Sequence, residues 1–316
     1  GPAVCGARPK HDVLYRVPVT GEAPLAVAVE GLDCTPGLSF DPKTRILSGA
    51  VAKAGDYPLV FVASNAHGTA RRAFTLKVGE AIQLTPAMGW NAWNAFAYDV
   101  TGKDVRAAAD ALVATGLADH GWQFVNVDDC WQKYYDREPK ENWKRPDRIG
   151  PSRDATGRIV PADGFGDMKE LTDYIHAKGL KAGLYTSPGP RTCGAGVGSW
   201  EHEATDAKTF ADWGFDFLKY DWCSYGTTVL GNGRGYQMHP YLKMGKLLRA
   251  QDRDIVFSIM NGGREDVGSW GREVGAQQWR TTGDVFDNWQ SLMKAPKGMK
   301  GLARHSGPGA ANDADM

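Results

Sequence analysis

The chain has 316 residues, 42% of them apolar, and its 37 lysines and arginines balance its 37 aspartates and glutamates. That is enough apolar material for one large domain and a small companion, and the neutral balance creates no field that would draw nucleic acid or an anionic membrane. That balance makes an uncharged or locally recognised molecule the expected partner, and no stretch approaches the roughly 20 apolar residues of a membrane span.

Five cysteines are too few for a dense disulfide framework and match no zinc spacing. Two pairings are open, Cys5 with Cys34 and Cys193 with Cys223, which leaves Cys130 odd. Either bridge would place the protein outside the reducing cytosol, secreted or periplasmic.

From about Asp12 to Val78, short alternating runs are separated by turn signals. Residues 25–29, 46–49, 57–62 and 73–78 read as strands, broken at Asp41-Pro42, Ala54-Gly55-Asp56 and Asn65-Ala66-His67-Gly68, the spacing of an all-β sandwich. The stretch 36–49, with 54–57 and 63–65, resembles the immunoglobulin-like modules appended to many bacterial surface and secreted proteins. Residues 1–82 are therefore expected to form a small immunoglobulin-like spacer module.

From Leu84 strand-like and helical segments alternate, which argues for parallel βα units. Strands are expected at 88–91, 124–127, 182–185, 215–220, 255–259, 278–281 and 301–304. Helices are expected between them, as at 168–178 and at 104–115, where Val105, Ala108, Ala109, Leu112 and Val113 recur at a helical period. Six or seven such units over residues 83–316 predict a (β/α)8 TIM barrel that is incomplete on its C-terminal side. No Gly-x-Gly-x-x-Gly follows the first strand, so no dinucleotide cofactor is expected.

In such barrels catalytic groups gather where strands end. Those ends carry Trp90 and Trp93, then Asp128 and Asp129, then Tyr185, then Lys219, Asp221 and Cys223. Asn261 follows the fifth strand, Arg280 and Asp284 the sixth, and Asp313 and Asp315 the seventh. A lysine, a carboxylate and a cysteine crowded against the hydrophobic run Phe215 to Tyr220 are costly unless each has a partner, and that cost suggests a site. Carboxylates, an arginine and aromatic faces without a phosphate loop suit a sugar, and a pair of carboxylates across a scissile bond is the equipment of glycoside hydrolysis. A metal is not expected: Asp128 and Asp129 point to opposite faces of an extended chain, and no histidine supports them.

Four segments narrow the reading: Leu84-Thr85-Pro86-Ala87-Met88-Gly89-Trp90-Asn91-Ala92-Trp93-Asn94, Val125-Asn126-Val127-Asp128-Asp129-Cys130-Trp131, Phe217-Leu218-Lys219-Tyr220-Asp221-Trp222-Cys223 and Trp279-Arg280-Thr281-Thr282-Gly283-Asp284-Val285. Their order and content resemble glycoside hydrolase family 27, which contains α-galactosidases and α-N-acetylgalactosaminidases. The resemblance implies retention of configuration, with Asp221 as nucleophile and Asp284 as general acid/base. Lys219, two residues before Asp221 on the strand, should favour the Asp221 anion, and Trp279 or Trp289 should supply an apolar wall that keeps Asp284 protonated. Arg280 would anchor substrate hydroxyls or pair with a carboxylate.

By the same resemblance Asp128 and Asp129 would hold the axial 4-hydroxyl and the 6-hydroxyl of a galactose-like ring. Trp93 and Tyr185 would line the pocket, Asp315 would reach in from the far side, and a Cys193–Cys223 bridge would pin the third and fourth strand ends. The family's other bridge has no partner here for Cys130, since Phe96, Tyr98 and Asp99 stand where it is expected; Cys130 is then a buried free thiol. Two departures bear on specificity. Met260-Asn261-Gly262-Gly263-Arg264 replaces the usual Cys-Glu-Trp at the sugar 2-substituent, and the stretch from Gly309 to Asp315 lacks an aromatic and a proline. The expected activity is release of terminal α-galactose. Behind it stand β-L-arabinopyranosidase, α-N-acetylgalactosaminidase or dextran-directed specificities, and a non-catalytic sugar-binding protein.

Overall fold

The structure, a computed structural model, describes residues 2–134 and 145–315. Seven strands form the N-terminal part: β1 (Val4–Ala7), β2 (Asp12–Arg16), β3 (Ala26–Glu30), β4 (Leu38–Asp41), β5 (Ile46–Ala50), β6 (Gly55–Asn65) and β7 (Gly68–Val78). The longest pair, β6 and β7, is a hairpin turned at Ala66-His67, where the Asn65 side chain accepts the His67 N–H at 2.9 Å. Its inward positions Leu59, Phe61, Phe74 and Leu76 alternate with outward ones, the period a half-buried strand imposes.

The strands divide into one sheet ordered β1-β7-β6-β3 and another ordered β2-β5-β4. Tyr15 of the second sheet meets Phe61 and Phe74 of the first, with the Tyr15–Phe74 ring centroids 4.8 Å apart, so the two sheets share one core. This is the expected two-layer β-sandwich. The Cys5–Cys34 pairing does not form, and both thiols are free. Cys5 lies on β1 and Cys34 just beyond β3, at opposite edges of a four-stranded sheet. Three strand spacings of ~4.8 Å separate them, far beyond the ~7 Å that a bridge tolerates.

The second sheet set is parallel throughout: β8 (Gly89–Asn91), β9 (Phe124–Asn126), β10 (Lys181–Thr186), β11 (Phe217–Tyr220), β12 (Val256–Ile259), β13 (Gln278–Arg280) and β14 (Ala311–Asp313). Each strand pairs with its chain neighbour, so the sheet winds in sequence order, as a barrel does. The expected strand at 301–304 is not there. Ala303–His305 is a 3-10 turn, and the seventh strand lies further on, with Ala311 in register with Gln278.

The helices are α1 (Trp93–Phe96), α2 (Gly102–Ala114), α3 (Met168–His176), α4 (Glu203–Trp213), α5 (Gly233–Arg249), α6 (Trp289–Leu292) and α7 (Lys294–Met299). Local signals set their ends. Thr101 and Asp104 make a capping box at the start of α2, Asp167 caps α3, and Gly214 at φ 92 stops α4. Val105, Ala109 and Leu112 of α2 bury with Leu171 and Ile175 of α3 against the sheet. No helix among the described residues is long and apolar enough to cross a membrane.

The sandwich docks on the end of the barrel where strands begin. Ile82 packs there against Phe124, Phe217 and Val256, the first residues of β9, β11 and β12. Arg8 forks onto Asp254, at 2.8 Å from its amide and 2.6 Å from Nε, and donates to the carbonyls of Arg249, Gln251 and Arg253. Arg45 bonds Asp119 at 2.7 Å, and Arg16 donates to the Lys178 carbonyl at 3.2 Å. The opposite end, where strands finish, carries Asp128, Asp129, Asp221 and Asp284.

Candidate active site

At the end of β9 the chain turns so that two consecutive carboxylates are buried yet face different donors. Asp128 Oδ2 accepts from Lys219 Nζ at 2.7 Å and Asn91 Nδ2 at 2.8 Å, while its Oδ1 accepts the Asp129 N–H at 2.8 Å. Asp129 accepts the Cys130 and Gly194 N–H groups, each at 2.6 Å. Burial raises Asp129 to about 6, against the pull of its Gly194, Thr192 and Cys130 donors and helped by the charge of Asp128. A side chain at Gly194 would meet Cys130 Sγ at 2.4 Å and Asp129 Oδ2 at 3.0 Å, so only glycine lets this backbone reach the carboxylate.

Lys219 therefore pairs first with Asp128 rather than with its strand neighbour Asp221. Burial disfavours its charge, but Asp128 and Asp221 outweigh that and hold its pKa above the ordinary value. Asp221 follows β11. Its Oδ2 accepts the Tyr185 hydroxyl at 2.8 Å and its Oδ1 the Trp222 N–H at 2.7 Å. Burial raises its pKa, and the Lys219 charge, the Trp222 amide and the Tyr185 hydroxyl only partly offset this. Tyr185 is itself pushed well above its ordinary range, first by burial and then by the charge of Asp221. The Tyr241 hydroxyl braces the backbone by donating to Met260 O at 2.9 Å and Asp221 O at 3.3 Å.

On the far side Arg280, 2% exposed, lies between two carboxylates: Nη1 is 2.6 Å from Asp315 and Nη2 is 3.0 Å from Asp284. Of the two roles open to it, partner to carboxylates is the one seen. Asp315 is buried and also accepts the Val285 N–H, which ties the loop carrying Asp284 to the seventh strand. Asp284 is 45% exposed. The apolar wall expected around it is not its setting: Trp279 is buried with its indole N–H on Asn312, and Trp289 is 73% exposed.

Asn261 is buried and engaged with its own loop, donating to Gln237 Oε1 at 3.3 Å and Arg264 O at 3.1 Å and accepting the Gly263 N–H at 3.2 Å. Its neighbour Gly262, at φ 68, has nothing within 4 Å of where a side chain would start. Trp93 is half-buried at the rim, its ring edge-on to Tyr98 at 5.2 Å. Cys193 and Cys223 are bridged, and Cys130 is a buried free thiol. Sequence reasoning passed over Asn91, Gly194 and Tyr241. Asn91, a polar residue at a strand end between Trp90 and Trp93, carried a visible signal; the backbone donor at Gly194 and the brace from α5 did not.

Lys219, Arg280, Asn91, Gln278, Asp313 and Asp315 line a cavity of about 130 Å3 inside the sheet. A parallel barrel sheet with buried carboxylates, one lysine and one arginine gathered at its strand ends is the framework of the glycoside-hydrolase barrels. The chain belongs to the alpha-galactosidase family, glycoside hydrolase family 27: the family model Melibiase_2, described as Alpha galactosidase A, matches residues 85–316. An alpha-galactosidase of Oryza sativa subsp. japonica is 41% identical over 249 residues, 78% of this chain and 53% of that protein. A Bacteroides fragilis protein, solved as a candidate alpha-galactosidase, superposes over 100% of this chain and 65% of its own, with a TM-score of 0.89 and 34% identity. Alpha-galactosidase I of Mortierella vinacea superposes over 73% of this chain and 59% of its own, with a TM-score of 0.65 and 31% identity. The chain spans about half the length of the curated relatives it matches.

Proposed function

We propose that the protein hydrolyses terminal α-linked galactose-type residues with retention, by double displacement between Asp221 and Asp284. The observation that carries this reading is the environment of Asp221, a half-buried carboxylate at a strand end whose two oxygens are aimed by Tyr185 and the Trp222 amide, with a lysine close behind. Such a group is oriented to attack an anomeric carbon, and its fixed donors reduce the reorganisation that attack would require. Asp284 stands at the accessible side of the same strand-end face, where a leaving-group oxygen can be protonated and a water later deprotonated. Asp128 and Asp129 would hold the 4- and 6-hydroxyls, with Lys219 bridging the first of them to the nucleophile. Trp93 and Tyr185 would line the ring, and Asp315 would position Arg280 and the acid loop.

Replacing Asp221 by Asn should abolish turnover of aryl α-galactosides, and NMR of the first sugar released should show the α-anomer. Release of the β-anomer would overturn the retaining mechanism. Replacing Asp284 by Asn should slow substrates with poor leaving groups far more than activated ones, and equal losses would refute its role as the acid.

The open space at Gly262 favours a second reading, a family 27 specificity with a bulkier 2-substituent such as α-N-acetylgalactosaminide. A panel of nitrophenyl glycosides that also includes β-L-arabinopyranoside separates these. The same proposal takes residues 83–316 as the catalytic barrel and residues 1–82 as an immunoglobulin-like module. The Cys193–Cys223 bridge supports work outside the reducing cytosol.

A further inference from the structure

Three potential ligand atoms gather at the end of β11. The sulfurs of Cys193 and Cys223 and a carboxylate oxygen of Asp221 all lie within 4.8 Å of one another. In the bridged state the sulfurs are bonded to each other and offer no thiolate. Cys193 is exposed, however, and an exposed bridge is one that an external thiol can attack. A dithiol would deliver two electrons and two protons across the Sγ–Sγ bond, becoming a disulfide itself and leaving two thiols here. A bound cation would then displace both thiol protons to the solvent.

We propose that opening the Cys193–Cys223 bridge unmasks a site for a thiophilic divalent cation, Zn2+ or Cd2+, with both sulfurs and Asp221 as ligands, and that the intact bridge keeps such a cation off the nucleophile. The inhibitory half of this rests on the role proposed for Asp221, whereas the binding half does not. Zinc–sulfur and zinc–oxygen bonds of about 2.3 Å and 2.0–2.2 Å put neighbouring donors of a tetrahedron roughly 3.3–3.8 Å apart. The separations here come within reach of that once the sulfurs are unjoined and free to turn about χ1. Two thiolates and a carboxylate suit a borderline-soft ion and disfavour Mg2+ or Ca2+. The Tyr185 hydroxyl, 2.8 Å from Asp221 Oδ2 and 3.5 Å from Cys223 Sγ, is placed to orient the carboxylate from behind, as outer partners of metal ligands do. Three protein ligands leave a fourth position for water, and a cation so held neutralises Asp221 and blocks its attack.

The test titrates Cd2+ into the protein, with and without a phosphine reductant, and follows the ultraviolet sulfur-to-cadmium charge-transfer band. Circular dichroism checks that reduction leaves the fold intact. The site predicts a band in the reduced wild type that exceeds the oxidised protein's, is lost in Cys193→Ser/Cys223→Ser and is weakened in Asp221→Asn. It also predicts loss of aryl α-galactoside turnover that EDTA restores. Equal bands in the reduced wild type and the double serine variant would assign the signal to Cys5, Cys34 or Cys130 and overturn the site. Equal affinity in Asp221→Asn would remove the carboxylate from it. An oxidised protein that turns over no glycoside would refute the functional reading and leave the metal titration to stand or fall by itself.

Discussion

Lys219 and Asp128 form a buried pair whose removal can be weighed. Side-chain exposure is 12% and 4%, so little water reaches either charge. Replacing Lys219 by Met should leave the Asp128 carboxylate unpaired and lower unfolding stability by about 3–5 kcal/mol in denaturant titration, beyond any loss of turnover. Asp221, raised by burial, predicts that kcat/KM falls on the acid side at a pH above the ~3.9 of a free aspartate. Two other carboxylates act on stability with opposite signs. Asp129, at about 6 when folded, binds its proton more tightly in the folded state, so its contribution is best below ~4 and declines as pH rises through about 6. Asp216 is pushed up by burial, but the His176 and Arg253 partners overcome this and bring it to about 2. Its ~2 kcal/mol is therefore present above ~4 and lost as pH falls toward 2. In pH-resolved melts Asp129→Asn should flatten the slope between 4 and 6, and Asp216→Asn the slope below 4.

Among the elements, the strands that were legible are those with apolar, aromatic or β-branched runs, such as Phe217–Tyr220 and Val256–Ile259. Ala311–Asp313 is an alanine followed by two polar residues, held by its backbone to β13 and by Asn312 and Asp313 side-chain bonds. Nothing in its composition marks a strand, and Gly301-Leu302-Ala303-Arg304 mimicked one. The candidate site was legible for a different reason: strand-end phasing singled out Asp128, Asp221 and Arg280 one by one. Their pairing was not legible, because which carboxylate Lys219 reaches depends on how β9 and β11 sit across β10. The same holds for Asn261, whose amide the fold turns into its own loop. Ile82, at the foot of the barrel, tests the junction as an element. Ile82→Ala should cost about 2–4 kcal/mol in thermal or denaturant unfolding while leaving KM for aryl galactosides in place.

At the scale of the molecule, the sandwich and the barrel behave as partners rather than beads on a string. Arg8 reaches four backbone or side-chain acceptors between Arg249 and Asp254, and Arg45 and Arg16 grip the loops before β9 and β10. Removing residues 2–78 should strand Asp254 and Asp119, uncover the apolar base and lower the melting temperature of what remains, read by calorimetry and by light scattering. An unchanged melt would make the module a mere spacer.

Because Ile82 and Arg8 fasten the foot of the cylinder, its rim stays clear. On the reading proposed above, a glycan that approaches the rim meets the half-exposed Asp284 without having to pass the sandwich.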